Sequence, residues 1–225
     1  MGHRRIGFTL TEVLVVVAII AILAAVLLPV FARAKAAAQS SVCLQQTKQV
    51  GTAFLLYLGD SDGLLPDRRD LKTSLPGGFR PWTGWPPSDP RAGWAKIVLE
   101  PYAKSGQVWA CPSSVHLFKG VVQVEQAGAD MWLWRFDRFE DPVPLDNFWG
   151  KSEDQAVNDL KASGNPQAGD PQGVADVELM VDVYFPKTIG SVPEELKGKS
   201  PHFAGRNRLF LDLHARFQRD HRLDP

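Results

Sequence analysis

Glu12 is the residue whose position most needs a chemical explanation. It sits near the start of an apolar run that begins at Phe8, and from Val13 to Phe31 no side chain carries a charge. A carboxylate inside a membrane-spanning helix costs roughly 2.5–3.5 kcal/mol, so a buried partner or a function is the default reading. At the other end of the chain His202, Asp212 and His214, with Asp182, are candidate ligands for zinc or a similar ion. Their spacing is not diagnostic, and a hydrogen-bonded polar cluster pinning a C-terminal hairpin uses the same residue types. Asp60-Ser61-Asp62-Gly63 carries two carboxylates suited to calcium but falls far short of a full loop. Ser113 and Ser114 have no nucleophile-elbow context, and no phosphate-cradling glycine loop occurs. Among the seven tryptophans, Trp82, Trp85, Trp132 and Trp134 offer either a sugar- or peptide-binding surface or ordinary core and loop packing. No catalytic residue and no cofactor are expected, and the chain reads as a non-enzyme.

These groups must be placed by a long helix and a set of short strands. At 225 residues the chain can bury a real core, and its formal net charge of zero gives no reason to expect nucleic-acid binding. The apolar run reaches roughly 30–35 Å as a helix, enough to cross a bilayer core. Pro29 within it lacks an N–H and should kink or loosen the helix, or simply mark the membrane exit. From Ala32 to Leu58 good helix formers continue, with Cys43, Thr47, Val50, Phe54 and Tyr57 three or four apart. That is an amphipathic helix lying against a folded domain, with Gly59 suited to its C-terminal cap. Residues 76–90 form a Pro/Gly/Trp-rich loop, and Gly93 to Lys104 suits a short helix. Gln107 to Ala110, Met131 to Phe139, Asp176 to Phe185, Asn207 to Asp212 and Ala215 to Gln218 read as strands. The expected class is α+β, a long N-terminal helix covering a small antiparallel sheet.

Three readings compete for the N-terminus. A cleavable secretory signal would use His3, Arg4 and Arg5 and be cut near Ala32-Arg33-Ala34, but its apolar core usually spans about 7–15 residues. Neither that reading nor a plain membrane anchor explains Glu12. The third rests on a resemblance. Arg4-Arg5-Ile6-Gly7-Phe8-Thr9-Leu10-Thr11-Glu12 resembles the prepilin signature of type IV pilins and type II secretion pseudopilins: a basic leader, a glycine, an aromatic residue and a glutamate, then an apolar run. The resemblance implies cleavage by a prepilin peptidase between Gly7 and Phe8 and methylation of the new Phe8 amine. It further implies that the helix packs into a filament, with Glu12 neutralising the Phe8 amine of a neighbouring subunit. Ser41-Val42-Cys43-Leu44, Lys48-Gln49-Val50-Gly51, Trp109-Ala110-Cys111-Pro112-Ser113 and Pro201-His202-Phe203-Ala204-Gly205 are similar to a subgroup with a large periplasmic domain. In that group the closing turn carries a glycine where this chain has Leu213, which puts a two-residue hairpin turn in doubt.

The resemblance implies a domain plan, a location and a set of partners. Residues 1–7 form the leader, 8–31 the transmembrane and assembly helix, and 32–225 a pilin-like extracytoplasmic domain that includes the amphipathic half of the helix. The chain would be a single-pass protein of the cytoplasmic membrane, then part of a pilus or pseudopilus. The charges flanking the span are nearly balanced, so the resemblance and not the charge count sets its orientation. Partners would be other pilin or pseudopilin subunits, the prepilin peptidase, inner-membrane assembly machinery, and membrane lipid before assembly. In an oxidising compartment the only two cysteines, Cys43 and Cys111, read as a disulfide, with two separate buried thiols as the alternative. The competing function is a membrane-anchored carbohydrate- or protein-binding module that does not polymerise. Residues 120–175 match nothing in the resemblance.

Overall fold

The computed structural model describes residues 9–80 and 84–224. The leader residues, the cleavage positions Gly7 and Phe8, and Trp82 lie outside the described residues. Two compact units divide the chain, residues 1–39 and 40–225. Helix α1, Leu10–Asp60, supplies residues to both.

In the first unit α1 is apolar on every side from Val13 to Phe31. Leu28 and Phe31 are 68% and 69% exposed, and the stretch is long and apolar enough to cross a membrane. Pro29 lies inside the helix, which continues past it as one element. In the second unit α1 is one-sided. Cys43, Thr47, Val50, Phe54 and Leu58 are buried at helical spacing, as the periodicity predicts. The helix does not end at Gly59, which is helical. It closes beyond, where Asp62 and Gly63 adopt φ of 52° and 73° and the Gly63 N–H reaches back to the Leu58 carbonyl at 2.9 Å. A six-to-one bond of this kind needs left-handed backbone, which glycine takes without a Cβ penalty.

Four antiparallel strands, β1 (Met131–Trp132), β2 (Glu178–Asp182), β3 (Gly205–Phe210) and β4 (Ala215–Arg219), form one sheet in that order. The fold is therefore α+β and pilin-like, a long N-terminal helix packed on an antiparallel sheet. Successive strand residues face opposite sides. Met131, Met180 and Leu209 join Val50, Ala53 and Phe54 of α1 in one core. Trp132, Val181, Val183 and Phe185 belong to a second core with Trp85, Phe118 and Leu196. Gly51 lets α1 approach the sheet closely: a Cβ there would meet Leu209 Cδ1 at 2.9 Å and the Leu213 carbonyl oxygen at 3.1 Å.

Several expected strands are shorter than anticipated or not strands at all. Gly106–Trp109 is a 3-10 turn, because the Ser105 hydroxyl accepts the Gln107 N–H and caps it. Pro112, with no N–H for a ladder, then opens helix α4, Pro112–Leu117, which sequence reasoning missed. Strand β1 stops after two residues because the Leu133 N–H bonds the Pro90 carbonyl at 2.7 Å, and a 3-10 turn follows at Trp134–Phe136. Short helices α2 (Arg69–Ser74) and α3 (Gly93–Val98) flank the Pro/Gly/Trp-rich loop. The unmatched middle holds α5, Glu153–Ala162, capped by Ser152 and burying Ala156, Val157 and Leu160.

Candidate functional site

The described start of α1 is closed by its own side chains. Thr9 stands immediately before Leu10 and Glu12 is three residues on, the spacing of a capping box. The Glu12 carboxylate accepts the Thr9 N–H at 2.8 Å and the Thr9 hydroxyl at 2.7 Å, while the Thr9 oxygen accepts the Glu12 N–H at 3.3 Å. Two orphan backbone donors are thereby satisfied at a helix end with few other partners. The Thr-x-x-Glu pattern is itself a sequence signal for such a cap. It gives Glu12 an intramolecular role in addition to any role between subunits.

The distal half of α1 is fastened covalently. Cys43 and Cys111 form a disulfide with 5.3 Å between their Cα atoms, bridging 68 positions of chain. Gln46 adds donors from its side-chain amide to the Gln107 and Ala110 carbonyls at 3.1 and 3.2 Å. The Cys111 N–H donates to Asp130 Oδ1 at 2.9 Å. Burial pushes the Asp130 carboxyl up to about 6 despite that bond. His202 completes the surroundings: its Nε2 lies 3.8 Å from Cys111 Sγ and 3.2 Å from Asp182 Oδ2. Asp182 in turn accepts the Asn207 N–H at 2.7 Å, which ties the disulfide region to β2 and β3.

The three candidate metal ligands do not converge. His202 precedes β3, whereas Asp212 and His214 follow it, and six extended residues separate the two ends by roughly 20 Å. Asp212 and His214 instead build the β3–β4 turn. The Phe210 N–H bonds the His214 carbonyl at 3.0 Å, the Leu213 N–H bonds the Phe210 carbonyl at 2.9 Å, and Leu213 takes φ of 66°. This is a three-residue hairpin loop with leucine where glycine usually sits, not a two-residue turn. Leu213 packs against the core, which offsets its conformational cost, and His214 stacks on Phe210 at 4.3 Å. Among the described residues, the one group of potential ligands within 4.8 Å of one another is Cys43, Cys111 and His202. Both sulfurs there are committed to the disulfide. Asp60 and Asp62 sit at the end of α1, where Asp62 contributes to the helix stop.

Most tryptophans are core residues. Trp94, Trp109, Trp132 and Trp149 are essentially sealed from solvent, whereas Trp85 and Trp134 line a cleft. Ser114 is buried beside the Asp130 carboxylate.

A further cluster, invisible in the sequence, organises the loop that carries Trp85. Lys72 of α2 is wholly buried and donates to the Asp89 and Arg91 carbonyls at 2.5 and 3.0 Å. Asp89, equally buried, receives Arg91 through both carboxylate oxygens at 2.9 and 2.7 Å and the Arg80 N–H at 3.0 Å. Burial raises the Asp89 pKa, but Arg91 and Lys72 outweigh it and hold the group below its ordinary value. Burial also lowers Lys72 to about 8.

Comparison with known proteins adds one match. Residues 2–28 match the family described as the prokaryotic N-terminal methylation motif. No curated protein and no solved structure matches the chain. The matched span covers the basic leader, Gly7, Phe8, the Thr9–Glu12 cap and most of the apolar run. The chain is thus pilin- or pseudopilin-like: a prepilin-type cleavage and methylation motif leads a long apolar helix whose continuation packs on a four-stranded antiparallel sheet.

Proposed function

We propose that the chain is an assembling structural subunit of a type IV pilus or type II secretion machine. In this reading it is cut between Gly7 and Phe8 and polymerises through α1, with the disulfide-fastened domain facing outward. The observation that carries the reading is Glu12 in place within a matched methylation motif, ahead of a helix apolar on every side. Before assembly the apolar half resides in lipid. In the filament it packs on the same segment of neighbouring subunits, and the Glu12 carboxylate meets the methylated amine of Phe8. Pairing converts a costly buried charge into a register device, because a subunit one position out of step leaves both groups unmatched.

Glu12 also caps its own helix, so the test must separate the two roles. Glutamine can serve at this position of a capping box, whereas alanine cannot. Glu12→Gln should therefore keep the cap and lose the charge. Both Glu12→Gln and Glu12→Ala should still insert into the membrane. Both should lose incorporation into filaments, because breaking a buried pair costs about 3 kcal/mol, about a hundredfold in association. Filament content measured by shearing and immunoblotting checks this. Wild-type incorporation of Glu12→Gln would reduce Glu12 to a cap and overturn the pairing role.

A further inference from the structure

The outward domain contains a cleft of about 670 Å³, a size typical of small-ligand sites. One wall is aromatic. Trp85 and Trp134 pack at 5.3 Å, Trp85 and Tyr184 at 5.6 Å, and the Trp85 indole N–H donates to the Tyr184 carbonyl at 3.0 Å. The base of the cleft is cationic. Arg206 is 8% exposed and sits over the Tyr184 ring, its Cζ 3.9 Å from the centroid. Its Nη2 is 3.6 Å from Asp220 Oδ2, but that carboxylate is already held by Arg222 through bonds of 2.8 and 2.6 Å.

The balance of donors and acceptors points to the chemistry of an occupant. Every acid lining the cleft is engaged within the protein. Asp146 is bound by Arg138 and Asn165, Glu178 by Arg208, Asp137 by Ser88 and Asn147, and Asp176 by the N–H groups of Gln172 and Gly173. The buried lining atoms with no partner are all donors: Trp134 Nε1, Arg135 Nε, and Nε and Nη1 of Arg206. Arg135 has no carboxylate partner among the described residues. Such a surface holds unmet donors and is completed by a ligand that brings anionic oxygen. Beside it, the aromatic wall offers an electron-rich face to the polarised C–H groups of a ring.

We propose that this cleft binds an acidic saccharide, its carboxylate drawn to the Arg135 and Arg206 guanidiniums and one sugar face laid on Trp134. The site belongs to the folded domain and is independent of whether α1 assembles. It would let an anchored or polymerised subunit hold a uronic-acid-containing polymer.

Full-length protein in detergent, titrated calorimetrically and by tryptophan emission, tests the proposal with a galacturonic acid trimer, a neutral galactose trimer and triglutamate. The acidic trimer should bind saturably, about tenfold or more tighter than the neutral one, and weaken as salt screens the arginines. Arg135→Gln should weaken it by about fivefold or more without moving the thermal midpoint, since that residue has no internal ion pair to lose. No saturable binding below about 10 mM, where less than about 3 kcal/mol is available, would overturn the proposal. Equal affinity for the neutral trimer would overturn it too, and neither comparison needs a variant that folds. Triglutamate binding as tightly as the sugar would assign the cleft to acidic peptide instead and contradict the saccharide.

Discussion

Replacing both Cys43 and Cys111 with serine should lower the stability of the folded domain by about 4 kcal/mol, close to the limit for a single cross-link. The bridge closes a loop spanning 68 positions, and in the chain-entropy account the restriction it places on the unfolded ensemble grows with the logarithm of that length. The full loop-closure loss is expected because the site is buried and leaves little room to relax. Serine hydroxyls would stand beside His202 and Asp182 in a space built for sulfur. Urea unfolding of the wild-type and double-serine proteins, compared at equal m-value, gives the difference directly. A midpoint shift worth less than about 1 kcal/mol would mean that Gln46 and the apolar face hold the distal helix without the bridge. In the proposed filament, force carried along α1 would reach the domain partly through this fastening.

Asp89→Ala should cost about 3–5 kcal/mol, because it removes the carboxylate that the buried cations Lys72 and Arg91 share and leaves Arg91 without its two-oxygen partner. Asp89 holds Arg91 through both of its oxygens, and it also receives the Arg80 N–H. Removing it should loosen the loop from Pro76 to Pro90, and Trp85 with it. The pH dependence has a definite sign. The folded-state pKa of Asp89 lies below its ordinary value, so its stabilisation is complete above the usual carboxylate range. That stabilisation disappears as pH falls through the lowered value. Wild-type protein should thus lose stability on acidification, and Asp89→Ala should show less of that loss. Thermal midpoints between neutral and acidic pH check both statements. A variant as stable as wild type would show that water or side-chain rearrangement satisfies the two cations.

The long helix is legible in the sequence because its signals are local and redundant. An uninterrupted apolar run is followed by Cys43, Thr47, Val50 and Phe54 at helical spacing, and all four are buried. The closing strands are legible for the same reason, since β3 and β4 lie within a residue or two of their expected positions. The turn between them is not. Leu213 adopts left-handed backbone only because its side chain finds a place in the core, a tertiary fact that no dipeptide rule contains. Gly106–Trp109 reads as a strand and folds as a turn because a short apolar run has no period of its own. Helix α5 does carry its signal, Ser152 with Gln155 three residues on, but within a stretch that resembles nothing familiar. The Lys72–Asp89–Arg91 cluster and the arginine-lined cleft are unreadable in principle, since their members become neighbours only after folding. The grouping of His202, Asp212 and His214 fails for the converse reason: they are close in sequence, and a straight strand keeps them apart.

Processing as a prepilin, followed by assembly through α1, leaves a chemical mark on the mature N-terminus. Intact-mass and N-terminal peptide analysis of the protein recovered from its native membrane reads that mark. The expected result is a mature chain that starts at Phe8 with a methylated α-amine, the apolar helix retained. A mature chain starting at Lys35, or one that keeps residues 1–7 and an unmodified amine, would contradict it.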